Sequence, residues 1–153
     1  MITEKAPGKL YIAGEYAVVE NGYPAILVAL DQFVTCTIEE SVQEVGQIIS
    51  RQYNNDQLSW RRLGDQMVVD KRDNPFSYIL SAIRVTEEYA RTFSRDLRIF
   101  NIHIDSQLDS ANGRKYGLGS SAAVTVATVK ALCRFCNLPV NKDQIFKLAA
   151  IAH

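Results

Sequence analysis

The sequence has no long hydrophobic run, no excess of either charge and few cysteines. Its longest uninterrupted apolar segment is AILVAL, Ala25 to Leu30, whereas a membrane-spanning helix needs about 20 such residues. Seventeen basic residues balance seventeen acidic ones, so no overall field favours nucleic acid or an anionic membrane as a partner. The first residues, MITEKAPGK, lack the apolar core of a signal peptide. We therefore expect a cytoplasmic protein that binds neither nucleic acid nor membranes.

The three cysteines, Cys36, Cys133 and Cys136, argue against a disulfide framework because their number is odd. Cys133 and Cys136 form a C-x-x-C pair more than three turns inside a predicted helix. A redox pair is favoured at a helix N-terminus, where the helix dipole lowers the thiol pKa. A structural zinc site would need about four ligands, and the sequence has no second pair. The cysteines are therefore interpreted as buried thiols.

The length and composition match a single soluble domain. The chain has 153 residues, of which 47% are hydrophobic and 22% are charged. A segment from Lys9 to Val19, interrupted by Gly14, and a second one after the turn NGYP are rich in β-branched and aromatic residues, which predicts strands. Residues 42–70 alternate short apolar segments with turn signals, so we expect a meander of antiparallel strands there. Within the meander, Trp60 is predicted to be a packing residue.

Helical patterns follow the meander. Asn74 and Pro75 resemble an N-cap and a first helical residue, and apolar side chains then recur at helical spacing to about residue 93. Residues 100–105, FNIHID, alternate as a strand with its apolar side chains on one face. Asn101, His103 and Asp105 share the other face, which we interpret as a solvated sheet face rather than a metal site.

Two more helices are predicted towards the end of the sequence. The first follows a run of small residues and continues to about Cys136, before Pro139. The second begins at Asn141, which has Gln144 three residues later and thus resembles a capping box. No stop signal closes this helix before His153, which favours a fragment of a longer protein.

Residues 117–123 read GLGSSAA and immediately precede the predicted helix. Glycines leave backbone N–H groups accessible to an anion, and a helix that begins here directs its free N–H groups and its dipole to the same point. The two serines could cap the helix or offer hydroxyls to phosphate oxygens or to a phosphate-bound Mg²⁺. A polyphosphate cradle and tight helix–sheet packing with serine caps are therefore both compatible with this run.

Two common phosphate-binding motifs are excluded for GLGSSAA. A P-loop needs G-x-x-x-x-G-K-[ST], and no lysine follows Gly119. A dinucleotide fingerprint opens directly after a strand and has an acidic residue at the end of the next strand, about 20 residues later. Here the preceding strand is predicted to end near Asp105, and a helix follows NLPVNKD.

A second motif, APGKLYIAGEYAVVENGYPA, spans Ala6 to Ala25. Together with YGLGSSAAVTVA, in this order, it closely resembles the two N-terminal motifs of the GHMP kinases, a family named after galactose, homoserine, mevalonate and phosphomevalonate. Within the family, the chain looks most like bacterial phosphomevalonate kinases in the segments GEYAVVENGYPA and GRKYGLGSSAAVTVATVKAL. Mevalonate kinases typically have G-E-H-A-V-V-H-G in the first of these segments. The resemblance covers the whole chain, but only as the N-terminal half of such an enzyme.

This resemblance implies an α+β fold with a sheet like that of domain 2 of ribosomal protein S5 and helices packed on one side. It implies that residues 1–153 are the ATP-binding N-terminal domain, and that a C-terminal half of the same enzyme is the partner of this domain. The implied reaction is transfer of a phosphoryl group from ATP to 5-phosphomevalonate, with Mg²⁺. The alternatives are another GHMP kinase, such as mevalonate kinase, or a non-catalytic small-molecule-binding module. The family's acidic residue and third glycine-rich motif are not found in this sequence, so the chain alone is expected to be inactive or nearly so.

The resemblance also implies roles for individual residues. Lys9 is expected to be catalytic and to contact the substrate, as a cation between the acceptor and the γ-phosphate. Glu15 and Tyr16 are expected to shape the acceptor pocket. Ser121 is the expected Mg²⁺ ligand, and Arg114 or Lys115 either contacts phosphate or belongs to a solvated loop. The triphosphate is expected to bind Gly117, Leu118, Gly119, Ser120, Ser121 and Ala122.

Overall fold

The computed structural model describes residues 1–51, 56–110, 112 and 116–153 and has an α+β fold. Its strands are β1 (Ile2–Ala13), β2 (Ile26–Glu40), β3 (Gly46–Ser50), β4 (Asp56–Leu63), β5 (Gln66–Val69) and β6 (Phe100–Ser106). Its α-helices are α1 (Ser77–Arg91), α2 (Ser120–Phe135) and α3 (Lys142–Ala152). In this part of the chain the strands form one sheet in the order β1-β2-β6-β3-β4-β5.

The strands β1 and β2 form a long antiparallel hairpin. Their pairing extends from Ile2 opposite Ile38 to Ala13 opposite Ile26, with a register shift between Pro7 and Lys9. The strand predicted from Lys9 therefore begins seven residues earlier. It also ends at Ala13, because Gly14 has a φ of +84° and turns the chain into a short 3₁₀ helix, residues 17–19.

The predicted meander is confirmed by the antiparallel pairs β3–β4 and β4–β5. The sequence did not indicate that β3 also pairs in parallel with β6, with Ile48 opposite Ile102. This pairing joins the meander to the main sheet. Trp60 is a packing residue as predicted: its ring centroid lies 4.8 Å from that of Phe100, and its Nε1 donates to the Phe100 carbonyl at 3.2 Å.

The core lies between one face of the sheet and the helices. Phe100, Ile102 and Ile104 of β6 are buried against α1 and α2, whereas His103 is exposed on the opposite face. Burial of this apolar face is the main stabilising contribution, at about 25 cal/mol per Å². The structure thus confirms the α+β class with helices packed on one side. None of the described helices is long and apolar enough to cross a membrane.

The predicted start of the first helix is wrong by two residues. The N-cap position belongs to Phe76, not Asn74, and Pro75 lies outside the helix. The Asn74 side chain instead accepts a hydrogen bond from the Phe76 N–H at 2.9 Å, which forms a turn before the helix. At α3 the predicted capping box is confirmed, because Asn141 and Gln144 exchange side-chain-to-backbone hydrogen bonds of 2.8 and 2.9 Å.

The cysteines are free, as the sequence predicted. Cys36 and Cys133 are buried, and burial raises the pKa of each thiol to about 12. Cys136 is half-buried, and burial raises its pKa as well. These thiols therefore carry very little thiolate at neutral pH, which agrees with a packing role.

Candidate active site

The two sequence motifs meet where β1 passes the glycine-rich segment. The Lys9 N–H donates a hydrogen bond of 2.9 Å to the Leu118 carbonyl. Gly8 makes this approach possible, because a Cβ at that position would lie 2.8 Å from the Leu118 oxygen and 2.5 Å from the Leu108 side chain. The Pro-Gly-Lys sequence therefore places a lysine directly against the segment before α2.

Gly117 and Gly119 give that segment its shape. Their φ angles are +71° and +76°, in the left-handed region that side chains with a Cβ adopt at a cost. Gly119 is the N-cap of α2, and α2 begins at Ser120. Each glycine is thus required by the backbone conformation of the turn that starts the helix.

The N-terminus of α2 has no side-chain cap in the described part of the chain. The Ala123 N–H donates to the Gly119 carbonyl at 3.0 Å and is the first in the helical pattern. The N–H groups of Ser120, Ser121 and Ala122 precede it, and such groups have no partner within a helix. The serine caps that would have explained the small residues by packing alone are not formed, and the helix start retains its capacity to bind an anion.

The side chain of Lys9 lies across Gly119. A Cβ on Gly119 would come within 3.1 Å of both Cγ and Cε of Lys9. The Lys9 Nζ lies 4.0 Å from the centroid of the Tyr11 ring. Within the described residues no carboxylate forms an ion pair with Lys9. A positive charge and the uncapped helix N-terminus are therefore brought to the same place.

Ser121 occupies the first turn of α2 and is half-buried. Its Oγ lies 3.2 Å from Nε2 of His153, and the His153 ring stacks on Tyr78 with a centroid separation of 5.2 Å. A hydroxyl oxygen suits Mg²⁺, which usually takes only one or two protein ligands and completes its shell with phosphate oxygens and water. No group of three or more His, Cys, Asp or Glu side chains that could hold a metal is found among the described residues. The position of Ser121 in the first turn of α2 is therefore compatible with the predicted role as a ligand of a nucleotide-bound Mg²⁺.

Glu15 and Tyr16 follow β1 in the exposed turn before the 3₁₀ helix. Tyr16 is 86% exposed, and no described contact connects either residue to Lys9. Gly14, just before them, is required because a Cβ there would lie 2.5 Å from the Pro24 carbonyl. Their role in an acceptor pocket stays a prediction, and Arg114 and Lys115 lie outside the described residues.

Sequence reasoning missed three aromatic residues at this site. Tyr11 stands two positions after Lys9 on the same strand, which is a readable signal because such side chains share one face. Tyr78 and His153 could not be found from the sequence, since 75 positions separate them and only the packing of α1 against α3 joins them.

A groove of about 480 Å³ lies between β5 and α1, away from this site. Its lining mixes Arg84 and Arg91 with Glu87 and Glu88 and includes apolar side chains of β5. Glu87 is already engaged by Arg62 in a buried ion pair. None of the residues that the sequence predicted for a site belongs to this groove.

Comparison with known proteins gives three related results. A sequence profile described as "GHMP kinases N terminal domain" matches residues 77–153. The phosphomevalonate kinase of Streptomyces sp. (strain CL190) is 37% identical over 160 residues, covering 99% of this chain and 42% of that protein. The mevalonate kinase of Methanocaldococcus jannaschii is also 37% identical, over 153 residues, covering 97% of this chain and 45% of its own length.

Solved structures agree with these sequence matches. Streptococcus pneumoniae phosphomevalonate kinase, in complex with phosphomevalonate and AMPPNP, superposes with a TM-score of 0.80 at 31% identity. That match covers 99% of this chain and 42% of the other. The chain therefore spans less than half the length of the relatives that it matches.

Proposed function

This chain belongs to the GHMP kinase family, and we propose that it is the nucleotide-binding part of a kinase that phosphorylates 5-phosphomevalonate with ATP in the mevalonate route to isoprenoids. One observation carries the proposal: the Lys9 side chain lies across Gly119 at the uncapped start of α2. A cation and a helix N-terminus at one point are what a transferring phosphoryl group needs. The phosphomevalonate kinase of Streptomyces and the S. pneumoniae enzyme support this acceptor.

The proposed nucleotide site is the turn from Gly117 to Ala122. The left-handed glycines expose the backbone, and the N–H groups of Ser120, Ser121 and Ala122 would donate to phosphate oxygens. Ser121 would be the protein's ligand to Mg²⁺, which in this position supplies neutralisation of the phosphate charge. Leu118 contributes through its carbonyl, which holds the turn against the backbone of Lys9.

Lys9 is proposed to stabilise the transition state. Phosphoryl transfer between two anions is opposed mainly by charge repulsion, so it depends on positioning and on compensating positive charge. The acceptor phosphate of 5-phosphomevalonate is already ionised at neutral pH, and a strong general base is less necessary than for a hydroxyl acceptor. Lys9 forms no ion pair within the described residues, so its positive charge is free to interact with such an acceptor.

The same site would also serve a second acceptor, mevalonate, as the similarity to the M. jannaschii mevalonate kinase indicates. Glu15 and Tyr16 are proposed to contribute to the choice between the two. With mevalonate as the acceptor, the attacking hydroxyl must lose its proton, so a general base is necessary.

We further propose that a C-terminal part of the same polypeptide completes the enzyme in the cytoplasm. The relatives are more than twice as long as this chain. The hairpin end of β1 and β2 leaves apolar side chains exposed, by 43% to 61% at Val28, Leu27, Ile12 and Ile26. Several exposed apolar side chains at one end of the hairpin are compatible with an interface to another part of the polypeptide.

Turnover by the full-length protein tests the proposal, with mevalonate and 5-phosphomevalonate as competing acceptors. We expect a higher kcat/KM for 5-phosphomevalonate, and a preference for mevalonate would overturn this acceptor. Lys9→Ala is expected to lower kcat by about a hundredfold or more. Intact activity in that variant would remove Lys9 from the catalytic site, and ATP-independent binding of either acceptor without turnover would favour a non-catalytic module.

A further inference from the structure

We propose that Tyr11 is a positioning residue: its ring holds the ammonium of Lys9 beside the start of α2 without neutralising its charge. The inference rests on the function proposed for Lys9. It is carried by three observations on described residues: the cation–π contact, the contact of the lysine stem with Gly119, and the absence of a carboxylate partner.

The first observation is the position of the Tyr11 ring. Lys9 and Tyr11 are two residues apart on β1, so their side chains project from the same face of the strand. The Lys9 Nζ lies 4.0 Å from the ring centroid, well inside the roughly 6 Å range of a cation–π interaction. Tyr11 is half-buried and its backbone is paired with Leu27 of β2, so the sheet fixes the base of the ring.

The second observation is the contact of the Lys9 stem with the glycine turn. A Cβ on Gly119 would lie 3.1 Å from Cγ and Cε of the lysine, so the absence of a side chain there creates the path of the stem. A lysine side chain has four rotatable bonds, and an unrestrained ammonium would sample many positions. The turn restrains the stem, and the Tyr11 ring restrains the charged end.

The third observation concerns what the ammonium does not contact. In the described part of the chain Lys9 has no ion pair, whereas Lys130 lies 3.2 Å from the Glu4 carboxylate and Arg134 lies 2.9 Å from it. A carboxylate would cancel the charge of Lys9 and compete with phosphate oxygens for it. An aromatic ring attracts a cation through its quadrupole and carries no net charge. Tyr11 therefore fixes the ammonium and leaves its full charge for the phosphates.

The experiment compares three variants of the full-length protein. Tyr11→Leu removes the ring, and Tyr11→Phe keeps the ring without the hydroxyl. Phe33→Leu is a matched control, because Phe33 makes the same kind of contact with Lys5, at 4.2 Å, on the same hairpin. We expect Tyr11→Leu to lower kcat about five- to thirtyfold with little change in the KM for ATP. Tyr11→Phe is expected to retain most of the wild-type kcat, and Phe33→Leu to leave kcat unchanged.

A direct measurement of the ammonium position separates this role from a purely structural one. In lysine labelled with ¹³C at Cε, the Lys9 resonance is identified by its absence from Lys9→Met. We expect a ring-current shift that Tyr11→Leu abolishes and Tyr11→Phe retains. An unchanged Lys9 resonance in Tyr11→Leu would overturn the inference, even if that variant were too unstable for kinetics.

The background of Lys9→Met distinguishes this inference from the proposed function. If Lys9 is catalytic and Tyr11 acts through it, Tyr11→Leu has no further effect on the residual activity of Lys9→Met. A full multiplicative loss in the double variant would overturn the role of Tyr11 and leave that of Lys9 intact. An active Lys9→Met protein would instead overturn the proposed function itself.

Discussion

Ser121, in the first turn of α2, and His153, directly after α3, are joined by a contact of 3.2 Å between Oγ and Nε2. The His153 ring is stacked on Tyr78 of α1. Next to it, the Ser81 hydroxyl donates a hydrogen bond of 2.7 Å to the Ala152 carbonyl. Three helices therefore meet beside the proposed phosphate-binding turn, and the orientation of the Ser121 hydroxyl depends on their packing.

Replacing His153 by phenylalanine is predicted to weaken the binding of the magnesium–nucleotide complex. The variant keeps a ring for Tyr78 but removes the hydrogen-bonding partner of Ser121, a change of about 0.5–1.5 kcal/mol and hence two- to tenfold in affinity. Calorimetric titration of the full-length protein with a non-hydrolysable ATP analogue, with and without Mg²⁺, measures the effect. An equal affinity loss without Mg²⁺ would show that the contact does not act through the metal ligand.

Replacing Gly119 by alanine is predicted to reduce activity more than stability. The φ of +76° costs a residue with a Cβ about 1–2 kcal/mol, and the added methyl also pushes on the Lys9 stem. We expect kcat to fall about ten- to hundredfold, because small displacements of a catalytic group are costly. Gly64→Ala is the control, since Gly64 has a φ of +64° but no atom within 4 Å of its Cβ position. Equal kinetic losses in both variants would contradict the prediction.

Glu4 is predicted to make stability depend on pH. Burial alone would raise the pKa of Glu4, but hydrogen bonds and charges from Arg134 and Lys130 outweigh it and lower the pKa below its usual 4.5. A lowered folded-state pKa means stabilisation that is present above pH 4.5 and is lost as the pH falls through the folded-state value. The difference in Tm between the wild type and Glu4→Gln should therefore be largest near neutral pH and shrink in acid. A Tm difference that grows as the pH is lowered would contradict the prediction.

Replacing Glu87 by alanine is predicted to destabilise the protein strongly. The side chains of Glu87 and Arg62 are 4% and 10% exposed, and removing the carboxylate leaves a buried guanidinium whose charge is not compensated, at a cost of about 3–5 kcal/mol. Asp143→Ala breaks the exposed Lys147–Asp143 pair at 2.8 Å and should cost less than about 1 kcal/mol. Thermal unfolding of the two variants gives the comparison, and similar Tm shifts would contradict it.

The elements that the sequence predicted well are those with local signals. The apolar alternation of residues 100–105, the capping box of Asn141 and the buried thiols follow from spacing and residue type alone. The start of α1 was misplaced because Asn74 has two local uses, an N-cap and a turn, and the sequence does not distinguish them. The parallel pairing of β3 with β6 was not predicted, because strands so far apart in sequence pair through the shared core.

The sequence by itself determined the glycine turn and the helix after it, since glycines stand at both positions of GLGSSAA that have a positive φ. That a phosphate binds at this turn stays a prediction. The resemblance of the Pro-Gly-Lys segment to the family motif also pointed to Lys9. The tertiary structure alone decided that Lys9 lies against the glycine turn, that the Tyr11 ring contacts Lys9, and that His153 contacts Ser121. The physical reason is that hydrogen bonds between β1 and the turn, and the packing of α1 and α3, join residues whose local patterns carry no information about one another.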